Sequence, residues 1–185
     1  MHQRLNIITG NRPERKQPLM EEIKRQGITN YTFWDSVYSP VSTKVGISEA
    51  HQQIVRYAKL AEFSDVMIAE DDFTGSHPDS FKYFLANCPR QFDLYLSQVF
   101  LGDLDENNRV KSFTGMTLYI VHSRFYDRFL SVDPNEHIDH ELSRIGGLFH
   151  VCNPFAFRQR NGWSSNTGKE ENYDDLLASR TFFGG

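Results

Sequence analysis

Cysteine is scarce in this sequence: of 185 residues only Cys88 and Cys152 carry a thiol, and they lie far apart without metal-ligand spacing. A disulfide scaffold and a zinc centre are both excluded, and two ordinary buried thiols in a reduced, cytoplasmic setting are expected. Basic excess is lacking too, because the formal net charge is −4, which argues against a general nucleic-acid binder. No apolar run is long enough for a signal peptide or a membrane span. Internal repeats, low-complexity tracts and dividing linkers are missing as well, so residues 1–185 read as one domain. What is plentiful is aromatic side chain, 14% of the chain with Phe foremost, which speaks against disorder.

The most informative stretch is 65–72. Val66, Met67, Ile68 and Ala69 form a continuous apolar run suited to a strand covered on both faces, and it stops in Glu70, Asp71 and Asp72. Three adjacent carboxylates repel one another unless water or a cation compensates them. The carboxyl end of a strand is where ligands sit in open α/β sheets, and hard cations are held there by one or two carboxylates plus phosphates. A solvated acidic turn is the other reading, and the cluster alone leaves both open.

Upstream, Leu5–Ile8 reads as a strand closed by Thr9, Gly10 and Asn11. Pro13 opens a helix with Asn11 or Arg12 as cap, Leu19, Met20 and Ile23 on its buried face, and Gly27 as terminator. Arg12 and Arg15 stand at the positive end of that helix, a mismatch that favours a partner with negative charge such as a phosphate; simple solvation, usual for surface arginines, is the other reading. A second strand covers 31–34 and ends at Asp35, and a second helix starts near Ser48 as cap and runs toward Ala61. His51 falls on its apolar stripe with Ile47, Ile54, Val55 and Ala58, the position of a hydrogen-bonded core residue that braces the acidic strand.

Further on, 81–85 suits a short helix, 92–96 a strand, 102–108 a solvent-facing acidic turn and 112–121 a strand with a bulge at Gly115. Ser123 starts a helix burying Phe125, Phe129 and Leu130. His137, Asp139, His140 and Glu141 open another helix, as metal ligands without zinc spacing or, more commonly, as acids complementing the helix dipole. A last strand is expected over 148–152. From Arg158 through Asn166 the chain reads as a polar loop able to fold over a ligand, with a short helix around 173–179.

Asn11-Arg12-Pro13-Glu14-Arg15, Gly46-Ile47-Ser48-Glu49-Ala50-His51 and Ala69-Glu70-Asp71-Asp72 come in that order, followed by Phe92-Asp93-Leu94-Tyr95-Leu96 and Gly115-Met116-Thr117-Leu118-Tyr119. Together they resemble glycosyltransferase family 25, the lipopolysaccharide-type sugar transferases, to roughly Pro154. The resemblance implies an α/β, single-domain GT-A-like (Rossmann-like) mixed sheet flanked by helices. It implies a hexosyltransferase-like, inverting enzyme of lipopolysaccharide biosynthesis that moves a sugar from a nucleotide sugar, a UDP-sugar foremost, to a saccharide acceptor. Thr9, Gly10, Asn11, Arg12, Arg15, Asp35, His51, Glu70 and Asp71 would bind the donor. Asp72, assisted by Asp71 and Glu70, would hold Mn²⁺ or Mg²⁺, with His150 to be examined as a further ligand. Asp139, or else Glu141, would be the general base for the acceptor hydroxyl. If the corner stays extended, Glu70 and Asp72 point one way and Asp71 the other. A nucleotidyltransferase and a non-catalytic carbohydrate- or partner-binding domain of the same fold are the competing expectations.

Overall fold

Strand β1 (Leu5–Thr9) lies between β2 (Tyr31–Asp35) and β3 (Asp65–Glu70), parallel to both. The structure, a computed structural model, describes residues 4–164 and 166–185. Beyond β3 the sheet continues through β6 (Leu118–His122), β5 (Leu94–Leu96) and β7 (Phe149–Val151), giving the order β2-β1-β3-β6-β5-β7. Only β6 opposes the direction of the rest, pairing antiparallel with both β3 and β5. This is the α/β, Rossmann-like mixed sheet that the sequence led us to expect.

Alternation along β3 divides the core. Val66 and Ile68 join the aliphatic face of helix α2 (Thr43–Leu60), whereas Met67 and Ala69 pack with Leu19 and Ile23 of helix α1 (Pro13–Arg25). Helix α1 starts at Pro13 and ends before Gly27, whose φ of 63° suits a residue without Cβ. Its buried face is not the one expected: Met20 is exposed, and Glu22 is buried in its place beside Leu19 and Ile23. Glu22 takes hydrogen bonds from Gly75 N (2.9 Å) and Gln26 Nε2 (2.9 Å) and an ion pair from Arg25. A buried charge so furnished is tolerated where an isolated one is not.

Helix α2 begins six residues earlier than expected. Ser42 is the cap, accepting from Val45 N, and Ser48 is fully buried within the helix. A Cβ at Gly46 would lie 2.4 Å from the Val37 carbonyl oxygen, so the chain at Val37 presses directly on the first turns.

The acidic strand turns after Glu70 into β4 (Phe73–Gly75), followed by α3 (Ser80–Ala86). The strand expected over 112–121 is β6 alone; the residues before it are irregular, with Gly115 at a φ of 88°. Ser123–Phe125 forms a 3-10 turn leading into α4 (Tyr126–Phe129), and α5 (Ile138–Ile145) follows. Residues 148–152 are not the last strand. The chain returns as β8 (Phe157–Gln159), which pairs antiparallel with β4, and then as the hairpin β9 (Gly162–Ser164) and β10 (Lys169–Glu171), before α6 (Tyr173–Leu177). β8 and β9 run through the stretch read as a polar loop, of which Ser165 lies outside the described residues, and β10 follows it. Three-residue strands rich in polar side chains leave too little alternation to be legible. Both thiols are free; Cys152 is buried and Cys88 half-buried, and burial pushes them up to about 11 and about 12.

Candidate active site

The site forms where β1 and β3 end together. Parallel pairing sets Ile8 against Glu70, so the loop after Thr9 and the turn after Glu70 face each other across the carboxyl edge of the sheet. Pro13 starts α1 at this edge and puts Arg15 in its first turn. Arg15 Nη1 lies 2.6 Å from Asp71 Oδ1 and 2.7 Å from Asp72 Oδ2, and Nη2 donates to the Trp163 carbonyl at 2.8 Å. Burial works against the charge on Arg15, but Asp72, Asp71 and Glu70 outweigh it and raise its pKa. Gly10 N donates to Asp71 Oδ2 (3.2 Å), and Arg12 Nη1 reaches the Trp163 carbonyl (3.3 Å).

The corner does not stay extended, which corrects the expected directions of the three acids. Glu70 keeps the alternation of β3 and faces α2, with Oε1 at 3.4 Å from His51 Nε2. The backbone turns at 71–72, so Asp71 and Asp72 both meet Arg15 on the α1 side. His51 is buried as expected and acts as a brace: its Nδ1 is 2.6 Å from the Tyr119 hydroxyl. Burial, and then the charge of Glu70, raise the Tyr119 pKa far above its usual value, so the phenol stays protonated. The tautomer with hydrogen on Nε2 satisfies both neighbours, accepting from Tyr119 and facing Glu70 with a donor.

Asp72 is buried, 3% exposed, and its Oδ2 also accepts from Gln159 Nε2 at 3.0 Å. Its Oδ1 is buried without a hydrogen-bond partner. Burial first, then the charge of Glu70, raise its pKa to about 7, with Arg15 opposing. A cavity of about 290 Å³ opens here, lined by Arg15, Pro18, Asp72, Arg160, Trp163 and Glu170. Arg160 N donates to the Asp72 carbonyl, fixing the returning chain against the corner.

Among the described residues no three His, Cys, Asp or Glu side chains converge as a ready-made metal centre. The donor set nevertheless suits a hard cation that takes only one or two carboxylates and fills its shell with phosphate and water, since Asp72 Oδ1 is an unpartnered oxygen in an acidic pair. His150 is remote from it: it lies on β7, where its pKa is lowered by burial and by Arg109.

Thr9 donates its hydroxyl to the Trp34 carbonyl, and Asp35, exposed, lies level with Thr9 at the end of β2. Asn11 is exposed in the loop before α1. Asp139 and Glu141 do not join this group. Asp139 accepts from Gly115 N (2.8 Å) and His140 N (2.9 Å), holding the segment that leads into β6. Glu141 receives both Arg144 Nε (2.8 Å) and Nη2 (2.7 Å) and caps Asp133 N (3.2 Å). Arg144 holds the Glu141 carboxyl down to about 2. Because this value lies below that of the unfolded chain, the contribution is present above about pH 4.5 and fades as pH falls toward 2. Glu141→Gln is therefore expected to destabilise the fold by about 1–3 kcal/mol at pH 7. Urea unfolding at pH 7 and pH 3 should show that difference narrowing in acid. An undiminished difference would assign it to packing.

Gln159, Arg160 and Trp163 belong to the site although the sequence marked them only as part of a loop. Their polar run after Pro154 was the available signal. No family model matches the chain and no curated protein matches it, so the likeness to family 25 rests on the sequence motifs alone. Solved structures do match. HddC from Yersinia pseudotuberculosis is 16% identical with a TM-score of 0.53 over 80% of this chain and 88% of its own. The same protein has also been solved complexed with GMP-PN. The inositol-1-phosphate CTP transferase from T. maritima is 13% identical, TM-score 0.52, covering 95% and 76% of the two chains. A197 from STIV is 9% identical, TM-score 0.55, over 90% and 92%. At these identities the likeness shows the fold. The expected sugar transferase is corrected here: of the named neighbours one is a CTP transferase and another has been solved with GMP-PN, and none is named as a family 25 enzyme.

Proposed function

We propose that this chain is a nucleotidyltransferase, moving a nucleoside monophosphate unit from a nucleoside triphosphate onto a phosphorylated small molecule. The observation that carries this reading is the unpartnered Asp72 oxygen in the acid pair that holds Arg15, at the carboxyl edge of a sheet whose fold resembles that of a CTP transferase. In the reaction an acceptor phosphate oxygen attacks the α-phosphorus. The bond from that phosphorus to the bridging oxygen breaks, and pyrophosphate leaves with the electron pair.

This chemistry suits the side chains better than sugar transfer does. A saccharide hydroxyl needs a base to remove its proton, yet Asp139 and Glu141 are committed to backbone N–H groups and to Arg144. A phosphate monoester, with a second pKa of about 6, arrives already deprotonated at neutral pH. Arg12 and Arg15 neutralise the phosphates, and the positive end of α1 lies beside them. Glu70, steadied by His51, is an acceptor for ribose or acceptor hydroxyls, since a carboxylate repels phosphate. Mg²⁺ or Mn²⁺ would be held by Asp72 with Asp71, and when bound would offset the charge on the departing pyrophosphate.

The test is product analysis with CTP, UTP, GTP and ATP, each with Mg²⁺ and a panel of sugar and polyol phosphates. Pyrophosphate release with one nucleotide and one class of acceptor is expected. Release of nucleoside diphosphate, or no turnover with any pair, overturns the assignment.

A further inference from the structure

We propose that Arg15 is the tethered counter-ion of the acid pair, and that a divalent cation and a nucleotide phosphate bind cooperatively because the cation displaces Arg15 and the phosphate receives it. This rests on the nucleotide-binding reading above and adds how the site is regulated.

Arg15 Nη1 sits between the two carboxylates, 2.6 Å from Asp71 Oδ1 and 2.7 Å from Asp72 Oδ2. A cation using both carboxylates lies within about 2.0–2.6 Å of their oxygens, the range for Mg²⁺ and Ca²⁺. It would share the place of the guanidinium, and two positive groups cannot share it. The remaining oxygens differ in availability. Asp71 Oδ2 takes Gly10 N and Asp72 Oδ2 takes Gln159, whereas Asp72 Oδ1 is buried and unpartnered, on a residue that lines the cavity. A cation therefore gains its first contact at Asp72 Oδ1 without cost to Arg15, and its second only by moving Arg15 aside.

The displaced guanidinium needs an acceptor. Its remaining contact is the Trp163 carbonyl on β9, which Arg12 also uses, and one neutral carbonyl does not replace two carboxylates. A phosphate does. Nucleotide thus lowers the cost of cation binding, and by linkage the cation raises nucleotide affinity by the same factor.

Removing Arg15 should push the two ligands in opposite directions. Free Mn²⁺ measured by electron paramagnetic resonance should show Arg15→Gln binding Mn²⁺ alone about 10-fold tighter than wild type, while Arg15→Lys stays near wild type. In EDTA, the four α,β-methylene nucleoside triphosphates tested by calorimetry should bind Arg15→Gln about 10-fold more weakly than wild type for whichever base is preferred. Circular dichroism establishes that the variants are folded. On wild type itself, the side-chain Nε–H signal of Arg15 should shift when Mg²⁺ and nucleotide are both present. Unchanged or weaker Mn²⁺ binding by folded Arg15→Gln overturns the proposal. So does an Arg15 signal indifferent to both ligands, which is readable even if every variant misfolds. Failure of wild type to bind any nucleotide with or without Mn²⁺ instead sinks the nucleotidyltransferase reading, and leaves the Mn²⁺ comparison to judge the counter-ion.

Discussion

Asp72→Asn is expected to be inactive and yet harder to unfold than wild type at pH 8. Burial and Glu70 raise the Asp72 pKa to about 7, well above the ordinary 3.8. The folded chain therefore holds this proton more tightly than the unfolded chain, and stability falls as pH rises from about 4 through 7. Asn keeps the shape, never ionises, and removes that decline. Thermal unfolding of metal-free protein should give a Tm several degrees higher for the variant at pH 8 and little difference at pH 4. Transfer should drop on the order of 100-fold or more, because an amide oxygen neutralises no cation and each 1.36 kcal/mol is a factor of ten. If the variant is less stable at pH 8, the pairing with Arg15 outweighs the desolvation of Asp72. A variant that still transfers normally removes Asp72 from the site. A functional group that costs stability is a familiar pattern in active sites.

The second large effect lies away from the chemistry. Glu22→Ala should cost about 3–5 kcal/mol, the usual penalty for breaking a buried charged network. It strips partners from Gly75 N, Gln26 and Arg25 together, and the first of these bonds ties α1 to β4. At about 2–4 °C per kcal/mol for a chain of this length, Tm should fall by roughly 6–20 °C. Because α1 carries Arg15 and β4 directly follows Asp72, nucleotide affinity should weaken as well, below the melting range. Calorimetric unfolding and nucleotide titration at 15 °C check the two parts separately. A loss under about 1 kcal/mol would mean that water replaces the carboxylate there.

Glu22 also illustrates where reading the sequence succeeds and where it stops. Helical spacing located α1, its Pro13 start and its Gly27 stop, because these depend on neighbours along the chain. It chose Met20 over Glu22 for the buried face, since polarity of a side chain does not disclose a partner such as Gly75, 53 residues away. The acidic corner was legible as a place, from the apolar run that ends in three carboxylates. Its geometry was not, because the turn at 71–72 answers to β4 pairing with β8, which no local pattern announces. His51 was legible as a brace from the stripe it shares with Ile54 and Val55, while its partners Tyr119 and Glu70 were not. The partners of Asp139 were illegible for a related reason: an acid at a helix start looks the same whether it faces a substrate or the N–H of Gly115.

The β8 return has one more consequence. Trp163 meets Arg15 across 148 positions of chain, and Gln159 meets Asp72 across 87. Contacts that close such long loops are assembled slowly and lose their partners early when the fold loosens. Ligand recognition should therefore be the final capability acquired during refolding and the first surrendered to denaturant, ahead of the sheet on which it stands.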